Sequence, residues 1–352
     1  MTSKERMGAF LTGQPLDRVP IIPLLLNIAA RLAGMTVREH GRDGLKMGQA
    51  HVRTWQRYRQ DMITIFTDTA VLAEAMGTKL CYPDDDAARV DVPVVQEPGD
   101  VDKLLDPDPW GDNGMRTYLE AIQHCNAEVG DEVFVGCCFA APFTTAACLR
   151  GTDRLARDLR KHPGLAKALL EAATAVGLKF IDACVAVGGV PAIVDPVATG
   201  SVLGPDQFDE FAQPYLATQI QRIHSYGLPA LLHICGKTHR LLEAMADTGA
   251  DILSLDVVDL GEAKARVGDR VTLMGNVSPS QTLLEGSAEK IEAEVIDCLR
   301  RAADSPRGFI LATGCEVPLH TPPESIGVFM AAGERWGKLP LELPASGPES
   351  PA

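Results

Sequence analysis

Short apolar runs alternate with longer segments of helical periodicity along most of the chain. Each run is rich in β-branched or other aliphatic residues and ends in small or polar residues, as buried strands do. This alternation is typical of parallel strands that are joined by crossover helices and covered on both faces. The runs predict eight strands, over residues 19–26, 62–69, 133–140, 190–197, 230–235, 251–258, 271–277 and 308–315.

Helical periodicity is clearest in the C-terminal half. Residues 206–226 and 288–303 each place apolar side chains on one face of a helix. Thr321, followed by two prolines and then Glu324, predicts the N-cap of a last helix that has proline at its first position.

The first 130 residues are less regular. We expect a helix over residues 53–60 and an acidic loop or hairpin over residues 83–99. Residues 101–130 predict two helices with a turn near the Pro-Asp-Pro sequence at 107–109.

A closed barrel and an open doubly wound sheet both satisfy this alternation. Open dinucleotide-binding sheets usually carry Gly-x-Gly-x-x-Gly after the first strand, whereas residues 22–34 contain a single glycine. We therefore predict an α/β fold, a single (β/α)8 TIM barrel over residues 1–340, with residues 1–60 as an N-terminal helical extension. In such barrels the chemistry lies at the C-terminal ends of the strands. Residues 341–352 are rich in Pro, Ser and Gly and predict a disordered tail.

The composition indicates a globular protein with a large core and an acidic surface. Of 352 residues, 46% are hydrophobic, and 33 Lys and Arg stand against 47 Asp and Glu. With no basic cluster, neither nucleic acid nor a membrane is expected as a partner. The longest apolar stretch, residues 19–30, is interrupted by two prolines and is too short to span a bilayer. Without a secretion signal, we expect a cytoplasmic protein whose nine cysteines are reduced.

Two predicted strands end in residues that bind metals. His233 and Cys235 alternate at the end of the fifth run, so their side chains point the same way, and Cys315 ends the eighth run. One imidazole and two thiolates are ligands that zinc prefers, and three protein ligands leave a tetrahedral position open for a substrate. The pattern alone also allows a packed core histidine beside buried thiols.

Other residues at the same end of the barrel are further candidates. His239 or His320 would complete a closed four-ligand site if either folded back to the metal. Asp195 and Asn276 are candidate catalytic residues that would orient a ligand or bind substrate, or would instead cap the following helix. Asp256 is a candidate partner of a ligand, or a fourth ligand. No residue is assigned to cofactor binding.

Several segments resemble the uroporphyrinogen decarboxylase-like superfamily, and within it the corrinoid methyltransferase branch, whose members include methylcobamide:coenzyme M methyltransferases. The similarity lies in the His-Ile-Cys-Gly and Thr-Gly-Cys-Glu sequences that contain the three candidate ligands, and it extends over about residues 3–338. Further similar segments are residues 73–77, 195–199, 204–211 and 275–279.

The resemblance implies a TIM barrel with a catalytic zinc held by His233, Cys235 and Cys315. It implies a methylcobamide supplied by a partner corrinoid protein, since nothing in this chain resembles a cobalamin-binding module. The methyl acceptor would be a thiol such as coenzyme M. Alternatives within the branch are a tetrahydrofolate acceptor or demethylation of a methoxy or methylamine compound.

Two other functions stay open from the sequence. One is decarboxylation of a tetrapyrrole acid, with Asp68 or Asp195 as a polar anchor, although residues 20–27 lack the arginine that such decarboxylases carry there. The other is a non-catalytic zinc- or corrinoid-binding protein, which a closed four-ligand site would favour.

Overall fold

Ten strands are present in residues 1–344, the part of the chain that the computed structural model describes. They are β1 (Ile21–Ile22), β2 (Met62–Ile65), β3 (Lys79–Cys81), β4 (Arg89–Val92), β5 (Phe134–Ala140), β6 (Val190–Val194), β7 (Leu231–Ile234), β8 (Ile252–Leu255), β9 (Thr272–Val277) and β10 (Phe309–Thr313). Eight form one parallel sheet in the order β1-β10-β9-β8-β7-β6-β5-β2. Each lies within one of the eight predicted runs, so the predicted TIM barrel is confirmed. The other two, β3 and β4, pair as an antiparallel hairpin.

The barrel closes between β1 and β2 through Asp61, which precedes β2. Its backbone N–H donates to the carbonyl of Ile21 at 2.9 Å. Its fully buried carboxylate accepts from the backbone N–H of Ile21 at 2.7 Å and from Arg6 and Arg18 at 2.6 Å each. One acidic side chain thus joins the first strand, the second strand and the N-terminal helix.

Fifteen α-helices surround the sheet within residues 1–344. They are α1 (Ser3–Leu11), α2 (Ile28–Leu32), α3 (Val37–Arg42), α4 (Gly44–Tyr58), α5 (Val71–Ala75), α6 (Gly114–Val129), α7 (Pro142–Arg150), α8 (Thr152–Lys161), α9 (Pro163–Ala186), α10 (Pro205–Phe211), α11 (Gln213–His224), α12 (Leu242–Asp247), α13 (Leu260–Val267), α14 (Ala288–Ala302) and α15 (Pro323–Trp336). Pro98–Lys103 and Pro196–Ala198 form 3₁₀ turns, and Pro279–Leu284 forms a π-helical turn.

Most predicted helices are present, with four differences. The helix predicted over residues 53–60 is the C-terminal part of α4, which begins at Gly44 and ends at Tyr58. The predicted helix over residues 206–226 is divided into α10 and α11 at Ala212. Residues 101–130 contain the end of a 3₁₀ turn and α6 rather than two α-helices. The predicted Thr321 cap is wrong, because α15 begins one residue later, with Pro322 at the cap position and no side-chain cap.

The predicted N-terminal extension contains a barrel strand, and only the start of the predicted tail is described. Residues 1–60 contain α1 to α4 and also β1, so α1 precedes the barrel and the other three helices connect β1 to β2. Residues 341–344 are in neither helix nor strand. The rest of the predicted disordered tail, residues 345–352, lies outside the described residues. No helix of residues 1–344 is both long and apolar enough to cross a membrane.

Alternation along the strands divides the apolar side chains into two layers. Outward-facing residues pack with the helices in the main core, which includes Trp55, Phe180 and Phe208. Inside the barrel, a second cluster that includes Met274 and Ile310 is joined by Met7 and Phe10 of α1, which covers the N-terminal end. Nearer the C-terminal ends of the strands, the inward-facing side chains do not fill the barrel and line a cavity instead.

Candidate metal centre

His233, Cys235 and Cys315 meet at the C-terminal end of the barrel. His233 lies in β7, Cys235 follows that strand directly, and Cys315 follows β10. Gly236 adopts a φ of +74°, in the left-handed region that favours glycine, which allows the chain to turn immediately after Cys235. The three predicted ligands, separated by up to 82 positions in sequence, are therefore brought together by two strand ends.

The separation of the two sulfurs is close to that in a tetrahedral zinc site, and the imidazole nitrogen lies closer to Cys235 than it would in such a site. Nε2 of His233 lies 3.1 Å from Sγ of Cys235, and the two Sγ atoms of Cys235 and Cys315 are 3.6 Å apart. Zinc bonds of about 2.3 Å to sulfur and about 2.0 Å to nitrogen at tetrahedral angles would separate two sulfurs by about 3.8 Å and nitrogen from sulfur by about 3.5 Å. The ligand atoms of all three residues lie within 4.8 Å of one another.

A serine on the neighbouring strand contacts the other side of the imidazole. Oγ of Ser254, in β8, lies 3.0 Å from Nδ1 of His233, and both side chains are buried. When Nδ1–H donates to this hydroxyl, Nε2 keeps its lone pair free to bind a metal.

The two thiols share their protons unequally. The hydrogen bond with Cys235 and the proximity of His233 lower the pKa of Cys315 well below its usual value. The same hydrogen bond, together with burial, raises the pKa of Cys235. Both directions favour a thiolate on Cys315 that accepts from the Cys235 thiol. A thiol must be deprotonated to bind a metal.

The chain on either side of Cys315 is fixed by hydrogen bonds. The Thr313 hydroxyl donates to the Cys315 carbonyl at 2.8 Å and accepts from the backbone N–H of Leu24 at 3.0 Å. The Glu316 carboxylate accepts from the backbone N–H of Asn27 at 2.9 Å, and burial raises the pKa of Glu316 to about 7. These contacts tie the ligand loop to the segment that follows β1.

The candidates for a fourth ligand do not join the cluster. In the described part of the chain, the group of side chains that could hold a metal contains three residues, without His239, His320 or Asp256. Both histidines are exposed. The Asp256 carboxylate accepts from the backbone N–H of Gly236 at 2.7 Å, so it holds the turn after Cys235.

Asp195 and Asn276 lie near the same end of the barrel but outside the lining of its cavity. Oδ1 of Asp195 accepts from the backbone and hydroxyl of Thr144, at 2.7 and 2.6 Å, and burial raises the pKa of Asp195 to about 7. The Asn276 amide donates to the carbonyls of Asp256 and Val258, at 2.9 and 2.7 Å. These hydrogen bonds hold neighbouring segments of the chain together, and a catalytic role for Asp195 and Asn276 stays a prediction.

Asp68 also takes part in a local network. Its carboxylate accepts from the Thr67 hydroxyl at 2.9 Å and from the backbone N–H of Ala70 at 2.8 Å. Burial raises the pKa of Asp68 to about 6. It does not line the cavity beside the cluster.

A cavity of about 200 Å³ extends from the candidate metal-ligand cluster into the barrel. All three candidate ligands line it, together with Ser254 and Glu316, which the sequence did not identify. The sequence signals for these two residues are weak: Ser254 lies two positions before Asp256, and Glu316 is adjacent to Cys315. Most of the other lining residues are apolar: Ile22, Leu24, Leu26, Met62, Phe66, Cys138, Ala192, Val194, Pro196, Leu231 and Met274.

Comparisons with known proteins agree in family and in fold. The sequence matches the family described as Uroporphyrinogen decarboxylase (URO-D) over residues 2–336. It is 29% identical over 343 residues to the methylcobamide:CoM methyltransferase MtaA of Methanosarcina barkeri, covering 95% of this chain and 98% of that protein. It is 28% identical over 287 residues to a uroporphyrinogen decarboxylase of Psychromonas ingrahamii, covering 79% of each.

Among solved structures, a methyltransferase from Methanosarcina mazei superposes with a TM-score of 0.86 at 27% identity. That superposition covers 95% of this chain and 99% of the other. A B12-independent methionine synthase from Shewanella shares the fold at a TM-score of 0.55 and 11% identity, with 83% and 86% of the two chains covered.

Proposed function

The chain belongs to the uroporphyrinogen decarboxylase family, and we propose that it is a zinc-dependent methyltransferase. It is similar over nearly its whole length to a methylcobamide:CoM methyltransferase. It moves a methyl group between a methylated corrinoid protein and a thiol acceptor, the class to which coenzyme M belongs. The observation that carries the proposal is the three-ligand cluster of His233, Cys235 and Cys315 beside an internal cavity.

The chemistry of the donor set fits zinc. A zinc ion held by one imidazole and two thiolates would supply an open coordination position at which an acceptor thiol loses its proton and its sulfur is fixed in place. In the net reaction, the acceptor sulfur gains the methyl group, and the electron pair of the cobalt–carbon bond stays with the corrinoid, which leaves as cobalt(I).

The chain's own residues hold the donor atoms in place. Ser254 orients the His233 ring through Nδ1, and Asp256 holds the turn that presents Cys235. Glu316 and Thr313 fix the loop that carries Cys315. Such partners of metal ligands keep the donor atoms oriented and strengthen binding.

The same site disfavours the two alternative functions. A tetrapyrrole acid carries several carboxylates, yet none of the described residues that line the cavity is Arg or Lys. The carboxylate of Asp68, a candidate anchor for such a substrate, accepts hydrogen bonds from Thr67 and Ala70 instead. A closed, non-catalytic site would need a fourth ligand, and residues 1–344 bring none to the cluster.

Transfer from free methylcobalamin to thiols tests this function. Zinc-loaded wild-type protein should demethylate methylcobalamin in the presence of a thiol and form the methyl thioether, and Cys315→Ser should lose this activity. Cys125→Ser, which removes a buried thiol outside the cavity, is the matched control and should retain it. Formation of coproporphyrinogen from uroporphyrinogen, with no thioether from any thiol, would instead establish a decarboxylase.

A further inference from the structure

The cavity beside the candidate metal-ligand cluster lies inside the barrel. The interior of a TIM barrel is normally filled by layers of bulky side chains. Here the inward positions of two neighbouring strands carry small residues: Gly136 and Cys138 in β5, and Ala192 in β6. The space that larger side chains would fill is open from the ligand cluster down to Met62 and Met274.

At the lower end of the cavity, the side chain of Met62 packs directly against Gly136. A Cβ atom at position 136 would overlap the Cε atom of Met62, so Met62 takes the space that a side chain from β5 would occupy. The apolar wall above it includes Leu26, Phe66 and Val194, which belong to one packed cluster inside the barrel. The cavity is thus an apolar chamber with a defined floor and walls.

The lining of the chamber contains few side chains that can carry a charge. Apart from the candidate metal ligands and the Cys138 thiol, the ionisable residue that lines the chamber in the described chain is Glu316, whose carboxylate accepts from the backbone N–H of Asn27. No lysine or arginine among residues 1–344 lines the chamber to pair with a sulfonate or carboxylate. An anion buried in such a chamber would lose its hydration without gaining a counter-charge.

We propose that the chamber binds the uncharged, apolar tail of the methyl acceptor, an alkyl or aryl thiol whose sulfur lies at the His233, Cys235 and Cys315 cluster. This rests on the proposed function and adds the substrate class: the acceptor is an apolar thiol rather than a thiol with an anionic tail. Ala192 is a specificity-determining residue, because its small side chain leaves room for the tail.

A charge series of short thiols tests the substrate class on the zinc-loaded wild-type protein. The series is propanethiol, the positively charged 2-aminoethanethiol and the negatively charged coenzyme M, each assayed for methyl transfer from free methylcobalamin. We expect kcat/KM for propanethiol to exceed that for coenzyme M by about tenfold or more, because the chamber offers the sulfonate no counter-charge. Equal or faster methylation of either charged thiol would overturn the proposal.

A size series tests the role of the chamber itself. Ala192→Leu should lower kcat/KM for benzyl mercaptan by about tenfold relative to methanethiol, because added methylenes fill the space of the longer tail. Zinc content should be unchanged, and Ala331→Leu, on the exposed face of α15, is the matched control. An equal loss for both thiols, or no loss, would contradict the assignment of the tail to this chamber.

A binding measurement separates this proposal from the proposed function. Saturation-transfer NMR with toluene and ethanesulfonate, neither of which is a thiol, reports on the chamber without methyl transfer. We expect toluene to bind the wild-type protein and to bind Ala192→Leu more weakly. We expect ethanesulfonate not to bind. Toluene binding without methylation of any thiol would contradict the proposed function alone, and ethanesulfonate binding in place of toluene would contradict the apolar acceptor alone.

Discussion

Ser254 and His233 lie on neighbouring strands, with the serine Oγ 3.0 Å from Nδ1 of the imidazole. The contact follows from the register of β7 against β8, which places the two residues opposite each other. Because both side chains are buried, the hydroxyl has little competition from water and sets the orientation of the ring. Nε2 of His233 is thereby left to face Cys235.

Replacing this hydroxyl should weaken metal binding without unfolding the barrel. We expect Ser254→Ala to lower zinc affinity by about 10- to 100-fold, as loss of a partner of a metal-bound histidine does. Competition with a chromogenic chelator measures the affinity. Ser280→Ala, at an exposed position, is the control, and equal affinities in the two variants would show that Ser254 does not orient the ligand.

Asp61 should be important for the stability of the closed barrel. Its buried carboxylate pairs with Arg6 and Arg18, so Asp61→Ala leaves buried positive charge and an unpaired backbone N–H. We expect the free energy of unfolding to fall by about 3–5 kcal/mol, measured by urea denaturation. Asp17→Ala is the control, since Asp17 also pairs with Arg6 but its side chain is 40% exposed. Equal losses in the two variants would contradict the role of Asp61 in closure.

A buried histidine pair should make the fold sensitive to acid. The rings of His40 and His51 have centroids 5.2 Å apart, and neither ring nitrogen of His40 has a hydrogen-bond partner among the described residues. Burial lowers the pKa of His40 to about 4 and that of His51 well below its usual value. The unfolded chain therefore takes up protons first as the pH falls below about 6.5.

Stability from His40 should be fully present above pH 6.5 and be lost as the pH falls towards 4. For this residue alone the loss between pH 7 and pH 5 is about 2 kcal/mol. We expect His40→Phe to reduce the loss, measured as the difference between urea unfolding free energies at pH 7 and pH 5. Asp195 and Glu316, whose raised pKa values act in the opposite direction, are unchanged in the variant and cancel in the comparison. The same loss in both proteins would contradict burial of a neutral His40.

The strands and the ligand cluster could be predicted from the sequence because both follow simple periodicities. Every barrel strand is a short apolar run, and His233 and Cys235 alternate at the end of one such run. The C-terminal ends of parallel strands meet at one end of a barrel, so Cys315 could be expected beside them before their distances were known.

The cavity and the partners of the ligands could not be predicted in the same way. Whether Ser254 contacts His233 depends on strand register, and whether Ala192 leaves a void depends on the side chains that face it. The incorrect Thr321 cap has a local cause: with two prolines in succession, the second one begins the helix, and the threonine hydroxyl is left without a partner.

The metal content of tag-free protein, measured by mass spectrometry, shows whether His233, Cys235 and Cys315 hold a zinc ion. The wild type should carry about one zinc per chain, as a three-ligand catalytic site does, and His233→Ala, Cys235→Ser and Cys315→Ser should each lose it. His239→Ala and His320→Ala should retain it, because neither residue joins the cluster in the described chain. A fully folded wild-type protein without zinc, or a ligand variant that keeps its zinc, would contradict the account.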